Sequence, residues 1–93
     1  MKLIKVEPSN NKNKKFVATF NIGDKTKRVH FGHSDYEDFT IHKSETRRDS
    51  YRKRHHTGKT AAPDTPNSLS YWLLWNTTSL RENIKLFKRK FNL

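Results

Sequence analysis

Cysteine is absent from the 93-residue chain, which removes both a disulfide framework and a thiolate-rich zinc site. Hydrophobic residues are scarce too, at 31%, well below a typical globular domain. No apolar run approaches the roughly 18 residues of a membrane span. The opening Met1-Lys2-Leu3-Ile4-Lys5-Val6-Glu7 lacks a signal peptide's apolar region. An intracellular location is therefore expected, and the sequon Asn76-Thr77-Thr78 is idle. Acidic side chains are few, with nine Asp and Glu against twenty Lys and Arg, for a net charge of +11. A high pI can serve plain solubility, but an excess this large on so short a chain makes a polyanionic partner the first hypothesis.

The length suits one small domain with a core that is modest for its surface. Low hydrophobicity and high charge push towards disorder. Against them stand eleven aromatics, two Trp, three Tyr and six Phe, and one dense apolar stretch, Ser68 to Trp75. Thr65 fits a helix N-cap there and Pro66 the first helical position. Leu69, Trp72 and Leu73 share one face, and Tyr71, Leu74 and Trp75 cover the next, so this helix is expected to be buried from several sides. The predicted centre of the core is Leu69, Trp72, Leu73, Ile84, Phe87 and Phe20.

Upstream, Leu3 to Val6 reads as a strand stopped by Pro8 and a polar turn. Phe16, Ala18, Phe20 and Ile22 alternate with Val17, Thr19 and Asn21, the period of a half-buried strand. After Gly23-Asp24, Arg28 to Phe31 resumes a strand. Residues 1–33 thus predict an antiparallel meander, aromatics on one face and Lys and Thr open to solvent on the other. Residues 34–43 form an acidic loop in which Asp35, Glu37 and Asp38 suit pairing with nearby Lys and Arg.

Ser44 can cap a basic helix spanning about 44–57. Its one large apolar-bodied residue is Tyr51. Arg47, Tyr51 and Arg54 share a stripe, as do Arg48, Arg52 and His55. The helix is either a solvated element anchored by Tyr51 or an arginine-rich surface for bidentate phosphate contacts. Ser79 and Glu82 form a capping box for a last helix whose Leu80, Ile84, Phe87 and Phe91 make an apolar stripe. Residues 65–92 then read as a helical hairpin. The predicted fold is α+β: a three-stranded antiparallel meander followed by three helices in a single domain, 1–93.

Few motifs carry chemistry. Gly58-Lys59-Thr60 resembles the end of a phosphate-binding loop, but the glycine required five residues earlier is Lys53, and a helix leads in where a strand should. His30 and His33, with Asp35, Asp38 and His42, invite a metal reading but lack a second spaced pair. No nucleophile–base pair stands out, so neither an enzyme nor a cofactor or small-molecule substrate is expected. Basic residues interleaved with aromatics are more suggestive. Lys14, Lys15 and Arg28 on the meander, with Arg47, Arg48, Arg52, Lys53 and Arg54 on the helix, are the candidates to track a nucleic-acid backbone. An exposed Phe16 or Phe31 could stack on bases, although their alternation favours burial.

Asp38-Phe39-Thr40-Ile41-His42-Lys43, Arg47-Arg48, Tyr51 with Arg54-His55, Leu74-Trp75-Asn76 and the closing Lys90-Phe91-Asn92-Leu93 resemble an uncharacterised family of small basic proteins. Its members are encoded by giant nucleocytoplasmic DNA viruses and some algae. The likeness covers about residues 29–93 and departs from the family in the loop 56–66, where an aromatic is missing. It implies a viral, virion-associated protein and assigns no site residues. Two uses follow: a non-enzymatic nucleic-acid-binding protein contacting phosphates, or a minor capsid protein meeting acidic virion proteins or a membrane surface. A nuclease or other metal enzyme using the histidines is a third and weaker reading.

Overall fold

The computed structural model describes residues 1–93, and its first third is the expected meander. Strands β1 (Lys2–Pro8), β2 (Lys14–Ile22) and β3 (Lys25–His33) pair antiparallel in the order β1-β2-β3. Ala18 lies opposite Val6 and Val29, and Phe16 opposite Pro8 and Phe31. Phe20 and Phe31 are fully buried on this face, as the alternation required. Leu3 and Val6 are three residues apart, so a regular strand would send them to opposite faces. A register shift between Leu3 and Lys5 leaves Ile4 without a partner and returns both to the core side.

The other sheet face is not the open surface its sequence predicted. Val17 and Thr19 are buried there. Their cross-strand neighbours are Glu7 and His30 for Val17, and Lys5 and Arg28 for Thr19. Glu7 reaches Lys5 at 3.2 Å and Arg28 at 3.6 Å, and the Ser9 hydroxyl meets His30 Nδ1 at 2.7 Å. Long paired side chains thus close over the middle strand, as they can because their stems are apolar.

The acidic segment is less irregular than expected. Asp38 caps a single-turn helix α1 (Phe39–His42), which Lys43 ends in the left-handed conformation at φ 58°. The basic helix α2 (Glu45–Arg54) follows, capped by Ser44, whose side chain accepts from the Arg47 N–H. A 3-10 turn (His56–Lys59) leads to α3 (Pro66–Leu69), where Thr65 caps and Pro66 opens the helix as read from the sequence. Helix α4 (Leu80–Lys90) is capped by Ser79. The architecture is α+β, a three-stranded antiparallel sheet followed by helices. Four α-helical segments are present where three helices were expected, because α1 forms inside the loop.

The main departure lies in the aromatic stretch. Past Leu69 the chain widens into a π-helical turn, Ser70–Leu74. A wider turn advances each residue by a smaller angle, so a stripe drawn at 3.6 residues per turn drifts off its face. Tyr71, Leu73, Leu74 and Trp75 are buried, whereas Trp72, placed at the centre of the predicted core, is only half-buried. Ile84 is likewise half-buried at the core's margin, while Leu69, Leu73, Phe87 and Phe20 are buried as predicted. Asn83 is fully buried and closes the link between the last helices. Its amide donates to the carbonyls of Leu73 (2.8 Å) and Thr77 (3.0 Å), and its oxygen accepts from the Thr77 N–H and hydroxyl.

Candidate nucleic-acid interface

Helix α2 borders a cleft of about 600 Å³ between the end of β3, the acidic loop and the π-helical turn. Tyr51 forms its floor. That ring lies parallel to Trp75 at 4.1 Å, and His55 lies on its other side at 4.2 Å and 21°. Burial pushes the Tyr51 phenol above its usual pKa, only partly offset by a hydrogen bond with Ser70 and the charge of Arg54, so it keeps its proton. Gly32, at φ 79°, lets the cleft wall close: a Cβ there would lie 2.8 Å from Leu74 Cδ1.

The eight candidate cations do not form one surface. Arg47 and Arg54 line the cleft and are exposed, and Lys53, next to Arg54 in the chain but outside the lining, is also exposed. Arg47 faces Glu37 at 3.8 Å in an exposed pair, worth little in water. Neither Lys53 nor Arg54 has a carboxylate within ion-pair distance. Arg48 and Arg52 turn inward. Arg48 lies 5.0 Å over Phe39, donates to Asp49 at 3.0 Å and reaches the Asn76 carbonyl at 3.5 Å. Arg52 lies 4.4 Å over Tyr71 and 5.6 Å over Trp72. Both act as packing residues: Arg48 ties α2 to α1 and to the link after the π-helical turn, and Arg52 ties it to the turn itself.

The meander candidates separate as well. Lys15 lines the cleft, but its ammonium is held 2.7 Å from the buried Asp38. Lys14 is half-buried opposite His33, and Arg28 belongs to the far face of the sheet with Glu7. Phe31 is fully buried and Phe16 packs against the core, so neither offers a ring for stacking. Exposed rings come instead from His33 and Tyr36, 4.9 Å apart at the cleft, and from His55. Sequence reading weighed His33 as a metal ligand and placed His55 on a stripe of the basic helix, and it singled out none of the three as a nucleic-acid contact. The available signal was their closeness in sequence to Arg47 and Arg54, which acquires meaning only once the loop folds back on α2.

A family model, described as a family of unknown function (DUF5754), matches residues 4–55, more than half of the chain. The chain belongs to that family. The DUF5754 match runs from β1 through α2 and includes Lys15, His33, Tyr36, Arg47 and Arg54 of the cleft, while Trp75 lies beyond it. It overlaps the resemblance drawn from sequence motifs only over residues 29–55. No curated protein and no solved structure matches the chain.

Other motifs take structural roles. Gly58 is buried, and a Cβ there would lie 2.7 Å from Tyr71 Cβ and 2.9 Å from the Asn67 carbonyl, so Gly58 lets the 3-10 turn approach α3. No group of three or more His, Asp or Glu is placed to hold a metal ion. No helix is long and apolar enough to cross a membrane.

His42 accepts the Ser44 N–H on Nδ1 at 3.0 Å and lies 5.2 Å from Trp75. Desolvation by burial lowers its pKa below 6.5, helped by the charge of Arg47 and opposed by Glu37 and Asp38. A lowered folded-state pKa means that its contribution is fully present above about 6.5 and is lost as pH falls through the folded-state value. Stability measured by urea melts should therefore fall on acidification below about pH 6.5, and less steeply in His42→Asn, which cannot titrate. Equal pH slopes for the two proteins would contradict that role.

Proposed function

We propose that this is a non-enzymatic nucleic-acid-binding protein that grips the phosphate backbone through Arg47, Lys53 and Arg54. The observation that carries the reading is the exposure of Arg47 and Arg54 on the rim of one cleft, with no strong carboxylate partner for either. Seven residues of helix separate them by roughly 10 Å along the axis, about three nucleotides of one strand at 3.4 Å each. Guanidinium groups bind phosphate as forks, and the counterions released supply much of the free energy. The resemblance to small basic proteins of giant DNA viruses supports a place in the virion, where a packaged genome needs neutralising.

The test is a titration of labelled oligonucleotide at several salt concentrations, wild type beside an Arg47→Gln/Lys53→Gln/Arg54→Gln variant. Three neutralised phosphates predict a log affinity that falls with log salt at a slope near −2 to −3. The variant should lose most of that slope while keeping its melting temperature, because the three side chains are exposed. Arg48 and Arg52 are left in place, since removing them would disturb packing. Identical slopes, with binding no tighter than about micromolar at low salt, overturn the reading. Tight binding to an acidic protein shell under those conditions would favour the minor-capsid alternative.

A further inference from the structure

The ring column beneath the cleft ends on an open face. Trp75 is buried at its base, Tyr51 is covered on both sides, and His55 is the exposed last member. No other ring stacks on His55, which borders the cleft at the end of α2. Elsewhere on the lining, Tyr36 is 69% exposed and meets His33 at a tilt of 58°, so that the two rings do not cover each other's faces. Arg47 and Arg54 line the same space, and Thr46 and Ser50 add hydroxyls. Of the two carboxylates in the lining, Asp38 is neutralised by Lys15, and only Glu37 remains open to solvent. A volume of about 600 Å³ is in the range that holds a small organic ligand.

A flat unsaturated ring that carries an anion matches the open ring face of His55 and the exposed guanidinium groups of Arg47 and Arg54. We infer that the cleft admits one unpaired nucleotide, its base extending the Trp75–Tyr51–His55 column and its phosphate held by Arg54 and Arg47. The protein accordingly prefers single-stranded nucleic acid to duplex. A base in a duplex is already paired and stacked on both faces, and reaching His55 would require its extrusion. A base in a single strand is available, and stacking on an aromatic ring tolerates any sequence. This inference rests on the nucleic-acid reading and adds a base to the phosphate contacts.

The probes are a short oligothymidylate, an abasic strand of equal length and charge, and a duplex with the same number of phosphates, titrated at one salt concentration. Oligothymidylate should bind about tenfold tighter than the abasic strand, and tighter than the duplex. His55→Ala should erase the advantage over the abasic strand without changing abasic binding. His55→Phe, which keeps a ring and removes the titratable nitrogen, should restore it. Equal binding of thymidylate and abasic strands, both weakened by Arg47→Gln/Arg54→Gln, overturns the stacked base and leaves the phosphate reading standing. An advantage that survives His55→Ala also overturns it. Failure of all three probes to bind overturns both.

Discussion

Phe20→Ala should unfold this domain near body temperature, whereas Trp72→Ala should leave it folded. Phe20 is fully buried on the middle strand and belongs to the single core cluster that also holds Leu69, Leu73, Leu74 and Phe87. Truncating such a side chain removes its transfer free energy and leaves a cavity, about 3–5 kcal/mol together. A chain of this length commonly has about 5–15 kcal/mol in total, so between about a fifth and all of its stability is at stake. At roughly 4–8 °C per kcal/mol, the melting temperature should fall by at least about 12 °C. Trp72 is larger, and its apolar stretch makes it the more obvious choice from sequence. The π-helical turn leaves it half-buried, with Arg52 and Lys90 lying over its ring, so cations and water take part of the space it vacates. Circular-dichroism melts of the two variants decide the matter. A Phe20→Ala protein within a few degrees of wild type would mean that the core is not centred on the sheet face.

Trp72 also marks where sequence reading stopped. Periodicity placed Phe16, Ala18 and Phe20 on one face because a strand's period is fixed by its backbone. Thr65, Ser44 and Ser79 were recognisable as caps because a cap is a local contact over three residues, and all three side chains accept the expected N–H. The π-helical turn has no such local signature, and a widened turn inside an apolar run is set by what packs around it. The shift at Ile4 was legible in principle, since Leu3 and Val6 cannot both be core residues of a regular strand. Asn83 also left a trace: it stands three residues after Leu80, on the apolar stripe of α4, where a buried amide needs partners from elsewhere. The division of the arginines was not legible. Arg47 and Arg48 are neighbours of identical chemistry, and only the position of Phe39 and Asn76 turns one inward. A count of charge along α2 therefore overstated the cations free to meet a polyanion.

The other large effect should come from Asp38, an acidic residue that the sequence offered as one of three loop carboxylates and as a candidate metal ligand. It is 2% exposed, accepts from Lys15 Nζ at 2.7 Å and from the Thr40 N–H at 2.9 Å, and also takes the Thr40 hydroxyl. One carboxylate thus starts α1 and neutralises a lysine whose side chain is only 14% exposed. Asp38→Ala removes the cap and leaves that ammonium largely out of water without a counter-charge, which should cost about 3–5 kcal/mol. Most of that is the penalty on the stranded lysine rather than the strength of the pair. It follows that Lys15→Met/Asp38→Ala should be more stable than Asp38→Ala alone, because an apolar side chain of similar length fills the site at no charge cost. Urea melts of wild type, both single variants and the double variant give the coupling directly. Two charges at 2.7 Å in so dry a place should couple by more than about 1 kcal/mol. Effects that add to within about 0.5 kcal/mol would show that Asp38 acts as a helix cap alone. The same proteins report on the cleft. Wherever Asp38→Ala remains folded, Lys15 gains no new carboxylate and the cleft rises by one positive charge, so polyanion binding should tighten even as stability falls. A fold-stabilising carboxylate and the proposed phosphate-binding surface then pull in opposite directions on one lysine, and the two readouts moving together would refute that division of labour.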